Sequence, residues 1–152
     1  MAAAVTVIGI GADGWSGFSE SARAAVTSAD VVIGAPRHLE LLPEVPDQAR
    51  HSWPSPLRAG LRELFDGVTG RQVVALASGD PLLSGVGTTL IEVLGAENVT
   101  VIPAVSSATL ARARLGWSAE STAVVRAGDV HAVLRELAPG RRTGRTHDDD
   151  CV

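Results

Sequence analysis

Lysine is absent from this sequence: all thirteen basic residues are arginine. That excludes a P-loop nucleotide site, Schiff-base chemistry and Ser-Lys nucleophilic catalysis, each of which needs a lysine amine. Cysteine is nearly absent. Cys151 stands alone beside the end of the chain, so neither a disulfide framework nor a multi-cysteine metal site can form. His38, His51, His131 and His147 are scattered without ligand spacing, and no metal is expected. No apolar run approaches the roughly 20 residues that a membrane span needs. No basic stretch precedes the opening Ala/Val run as it would in a secretion signal. A net charge of −4 argues against a broad nucleic-acid face. The expectation is a soluble cytoplasmic protein with neither a membrane nor a nucleic-acid partner.

What is present reads as one ordinary domain. The 152 residues are 45% hydrophobic and 20% charged, a globular balance. Val5–Ile10, Val31–Gly34, Val73–Ala77 and Val99–Ile102 are short, β-branched and nearly uncut by polar residues, as parallel strands covered on both faces should be. Ala49–Trp53 reads as a weaker edge strand. Helices lie between them. Ser19 caps one running to Ser28, and Ser55-Pro56 reads as an N-cap with proline at the first helical position. Leu57, Leu61, Leu64 and Phe65 then share one face, and Val86, Leu90, Val93 and Leu94 repeat the spacing. Ser106 or Ser107 starts a helix that runs through Leu115 and ends at Gly116. The pattern predicts an α/β fold, an open and mostly parallel sheet with flanking helices. It restarts at Thr122–Arg126 as a strand and Val130–Leu137 as a helix, the start of a second α/β domain. The expected division is therefore 1–117, 118–139 and a disordered tail over 140–152.

Ligands of open α/β sheets bind outside the carboxyl ends of the strands, and three loops there are unusual. The first, "GIGADG" (Gly9–Gly14), fits the dinucleotide pattern G-x-G-x-x-G letter for letter. That pattern needs a helix starting inside the glycine run and an acid closing the second strand. Here Trp15-Ser16-Gly17 delays the helix, and the second strand ends Val32-Ile33-Gly34-Ala35 without a carboxylate. The second loop, "ASGDPLLSGVG", brings Gly79 for close backbone approach and Asp80 as an acceptor. Asp80-Pro81 also reads as a plain N-cap with a first-turn proline. The third, "IPAVSSATL", sets two hydroxyls at a helix N-terminus, as either a cap or a ligand site. Arg37-His38, in "GAPRHLELL", is either a candidate anion-binding pair or a solvated turn.

Four ordered blocks, "VTVIGIGADG", "ADVVIGAPRHLELL", "ASGDPLLSGVGTTL" and "GAENVTVIPAVSSATLARARLGW", resemble the tetrapyrrole (corrin/porphyrin) methylase family over residues 4–138. The second and fourth are the specific ones, and resemble members that methylate C5 of a precorrin. The resemblance implies an S-adenosylmethionine-dependent C-methyltransferase acting on precorrin-6Y or cobalt-precorrin-7 in cobalamin biosynthesis. It implies Ala12, Ser78, Gly79, Asp80, Leu83, Ser106 and Ser107 on the cofactor side, with Arg37 and His38 toward the corrin substrate. It identifies no catalytic residue, as expected where the sulfonium is already activated and positioning dominates. Many members carry Gly-Pro-Gly where this chain has Gly11-Ala12-Asp13-Gly14. The family has two domains, so the loss of apolar pattern after Pro139 reads as a truncated or frame-shifted form with impaired activity. A homo-oligomer, or a partner supplying the second domain, is the matching expectation. Alternative readings are a different acceptor on the same fold (another tetrapyrrole, an rRNA ribose or a modified histidine) or a non-catalytic fragment.

Overall fold

The computed structural model describes residues 4–126 and the strand at 142–146. The chain divides into two compact units, and the break falls after Ala104.

The first unit is built on five parallel strands, β1 (Val5–Ile10), β2 (Val31–Gly34), β3 (Ala49–Ser52), β4 (Val73–Ser78) and β5 (Val99–Ile102), in the order β3-β2-β4-β1-β5. The expected weak edge strand is β3, and it does lie at an edge. Alternation along each strand sends side chains to two cores. Val5, Val7, Val31, Ile33, Val73, Ala75 and Ala77 face one side. There they meet Leu61 and Phe65 of α3 (Leu57–Asp66) and Leu90 of α4 (Val86–Leu94). Ile8, Ile10, Val32, Val74 and Leu76 face the other, against Phe18 and against Ala22 and Val26 of α1 (Glu20–Ser28). Both faces of the central strands β2, β4 and β1 are covered, which is why these carry almost no polar residues, whereas the edge strand β3 is mostly polar.

The helix signals hold at α1, where Ser19 accepts a hydrogen bond from the Ala22 amide, and at α4, which ends on Gly95 at φ 88°. They are off by one residue at α3. Pro56 has extended backbone angles, so helical geometry begins at Leu57 and Ser55 makes no cap. The first turn is held by packing instead: a Cβ on Gly60 would lie 2.4 Å from Pro54 Cβ. Asp80-Pro81 does not start a helix either. The Asp80 carboxylate accepts from the Leu82 amide in a tight turn, and α4 begins only at Val86.

The second unit holds α5 (Ser107–Leu115), β6 (Thr122–Arg126) and β7 (Arg142–Thr146), with β6 and β7 paired in parallel. The described residues differ from the expected division in two places. Helix α5, grouped by sequence with the first domain, falls in the second unit, where it lies against β7. The strand β7 occupies residues expected to be disordered. Backbone pairing with β6 satisfies amides that polar side chains alone would leave to solvent. The expected helix at 130–137 lies outside the described residues. Among the described residues, no helix is long and apolar enough to cross a membrane, and no cluster of ligating side chains could hold a metal ion.

Candidate cofactor and substrate site

The carboxyl ends of β1, β2 and β4 lie along one edge of the first unit because the strands are parallel. Main-chain hydrogen bonds stitch the loops leaving that edge. The Gly79 amide donates to Ile10 O at 2.9 Å, and the Ala104 amide donates to Gly79 O at 3.2 Å. Gly9 is what permits this crossing. A Cβ there would sit 2.0 Å from Gly79 O and 2.5 Å from Ala104 N. The glycine that matches the dinucleotide pattern therefore makes room for a neighbouring loop. Gly79 itself adopts φ +56°, a left-handed conformation that costs glycine little.

The first loop closes as a tight turn, with the Gly14 amide donating to Gly11 O at 3.0 Å. Asp13 sits at φ −81°, ψ −2°, as the third residue of a type I turn does, and Gly14 follows at φ +57°. Ala12 and Asp13 thus form the centre of the turn, and Ala12 is left exposed. A single 3-10 turn over Gly14–Gly17 delays α1 as the sequence predicts. It is anchored from α1 by Arg23, which donates to Ser16 O at 2.8 Å and lies 5.7 Å from the centre of the Trp15 ring.

In the second loop Pro81 is fully buried and its carbonyl accepts from the Gly87 amide, while Leu82 and Leu83 stay exposed at 50% and 37%. Asp80 uses one carboxylate oxygen on its own turn.

The block after β2 forms a short helix, α2 (Pro36–Leu39), with proline at its first position. Its two candidates separate. Arg37 is exposed, and donates from Nη2 to Ser78 Oγ at 3.2 Å. His38 is buried at 5% exposure, with Nε2 3.2 Å from Ser78 Oγ and 3.4 Å from Arg37 Nε. Burial, reinforced by the Arg37 charge, lowers the His38 pKa below the usual imidazole value. The solvated-turn reading therefore fails for His38. Arg50, which the sequence did not single out, donates from β3 to Leu39 O and Pro43 O and fixes the chain beyond α2.

Ser106 and Ser107 begin α5 in the second unit. Ser106 is buried and is the N-cap, its Oγ accepting from the Thr109 amide at 3.1 Å. Ser107 is exposed at the first helical position. Arg112 folds back onto Thr109 Oγ1 of its own helix.

The first unit is thus an open parallel α/β domain whose carboxyl edge is crossed by two loops and carries no dinucleotide helix. The model of the Tetrapyrrole (Corrin/Porphyrin) Methylases matches residues 4–146, and the chain belongs to that family. The family uses S-adenosylmethionine. The chain is 44% identical to a decarboxylating precorrin-6Y C(5,15)-methyltransferase of Mycobacterium tuberculosis, over 80% of this chain and 30% of that protein. It is 29% identical to a cobalt-precorrin-7 C(5)-methyltransferase of Salmonella typhimurium, over 97% of this chain and 72% of that protein. Among solved structures it resembles a precorrin-6Y methylase of Archaeoglobus fulgidus, with a TM-score of 0.71 and 30% identity over 94% of this chain and 72% of the other. The chain thus spans about a third of the decarboxylating relative's length.

Proposed function

We propose that this chain serves S-adenosylmethionine-dependent methylation at C5 of a precorrin, precorrin-6Y or cobalt-precorrin-7, in cobalamin biosynthesis. The observation that carries the reading is the bond from Arg37 to Ser78. It joins the block resembling the substrate side of the family to the loop resembling its cofactor side.

The residues present suit the cofactor. Asp80 keeps a second carboxylate oxygen for sugar hydroxyls, exposed Leu82 and Leu83 offer apolar surface to a purine, and Gly79 admits close backbone approach. Ala12, Ser78, Gly79, Asp80 and Leu83 form the cofactor side on the first unit. When bound, S-adenosylmethionine supplies a methyl group already activated on a sulfonium. What the chain must add is orientation and exclusion of water. Arg37, planar and permanently charged, is suited to a substrate carboxylate through paired N–H donors. His38, buried behind it, supports Arg37 rather than meeting substrate.

Calorimetric titration tests the cofactor reading. Saturable one-site binding of S-adenosylhomocysteine is expected, together with a raised melting temperature that NAD does not reproduce. Protection by NAD and none by S-adenosylhomocysteine would overturn it.

A further inference from the structure

Three side chains from two strand ends close a ring of hydrogen bonds in the first unit. Arg37 Nε points its hydrogen at His38 Nε2, Arg37 Nη2 donates to Ser78 Oγ, and Ser78 Oγ lies within hydrogen-bond distance of the same Nε2. A guanidinium can only donate. Nε2 must therefore present its single lone pair, and because a bare nitrogen cannot donate, Ser78 turns its hydroxyl hydrogen toward it, so that Arg37 Nε–H and Ser78 share that lone pair while Ser78 Oγ accepts from Arg37 Nη2. The ring closes only if the imidazole is neutral with its hydrogen on Nδ1. A hydrogen on Nε2, or an imidazolium, would set N–H against the Arg37 donor.

We propose that His38 is a positioning residue, a neutral Nδ1–H imidazole whose Nε2 lone pair orients the Arg37 guanidinium and the Ser78 hydroxyl at the carboxyl ends of β2 and β4. The role given to Arg37 and Ser78 rests on the functional reading above; the protonation state of His38 does not. Burial agrees with the neutral form, since His38 is 5% exposed and beside a fixed positive charge. The arrangement carries a cost: Nδ1 is buried with no hydrogen-bond partner among the described residues. A leucine of similar volume could accept neither the Arg37 nor the Ser78 hydrogen. Glutamine, by contrast, can bring an amide oxygen near the place of Nε2 and accept from both donors.

Long-range proton–nitrogen correlation on the wild-type chain at pH 7.5 tests the tautomer, with the His38 ring assigned by its loss in His38→Gln. The expected spectrum has Nδ1 protonated and Nε2 bare. A protonated Nε2, alone or with Nδ1, overturns the proposal. Affinity for S-adenosylhomocysteine tests the positioning, with melting temperatures checking that each variant is folded. His38→Leu is expected to weaken binding by about tenfold or more, the loss of a hydrogen bond to a charged group, and His38→Gln to recover most of it. Equal weakening in both variants, or in neither, contradicts the role. If the wild type binds no S-adenosylhomocysteine, the cofactor reading falls, and the tautomer spectrum still decides the state of His38.

Discussion

The two ends of the same sheet differ in kind. At the amino ends of β1, β4 and β5, a cavity of about 260 Å³ is lined by Thr6, Ala25, Ala29, Arg71, Val73 and Thr100 among others. Beside it the Asp30 carboxylate accepts from the Gln72 amide, and the Gln48 side-chain amide donates to Val26 O and Ala29 O while its Oε1 is buried with no partner among the described residues. At the carboxyl ends a buried histidine has a lowered pKa, a glycine takes φ +56°, and two leucines face solvent. The lowered histidine pKa and the left-handed glycine lie at the end where open α/β sheets bind ligands.

The sharpest way to break this contrast is Gly9→Ala. The added methyl would meet Gly79 O and Ala104 N, backbone atoms that cannot swing aside. A loss of about 3 kcal/mol is expected in urea unfolding, near the top of the range for overpacking, with cofactor binding abolished. A second test uses acidity. His38 has a lowered pKa in the native chain, so above about 6.5 it is neutral in both folded and unfolded states and sets no pH slope. Below that pH the unfolded chain takes up the proton first. Stability should then fall, by at most about 1.4 kcal/mol per pH unit from this group, until pH drops through the native pKa. The difference between wild type and His38→Gln in parallel unfolding series isolates that slope.

Smaller effects separate the two ends further. Ser106→Ala removes the cap of α5 and is expected to cost about 1 kcal/mol in unfolding experiments. Arg71→Ala strips an exposed side chain from the amino-end cavity. It should change stability by less than about 0.5 kcal/mol and leave S-adenosylhomocysteine affinity untouched in a titration. A clear loss of affinity would move the site to the wrong end of the sheet.

Most of the sheet was legible because every strand of the first unit except the edge strand β3 is an apolar run bounded by turn residues, and two of its helices announce themselves by caps. Strand order was not. Nothing local in Val31–Gly34 or Val73–Ser78 says that they are neighbours, so the meeting of Arg37 and His38 with Ser78, some forty residues apart, was invisible. The same gap hid the role of Gly9, which answers to a carbonyl arriving from β4. Ser55 misled because a proline after a hydroxyl residue suits a cap, yet Pro54 packing on Gly60 holds that turn. The strand at 142–146 was missed because its pairing with β6 is carried by the backbone, and its polar residues give no alternating signal.

Hydrogen–deuterium exchange of the chain with and without S-adenosylhomocysteine tests the central claim most directly. The account predicts slowed exchange in the loops at 10–17 and 78–86, at the carboxyl ends of the strands, and no change around 28–30, 71–73 and 100 at the amino ends. Protection centred on the amino-end cavity would contradict it.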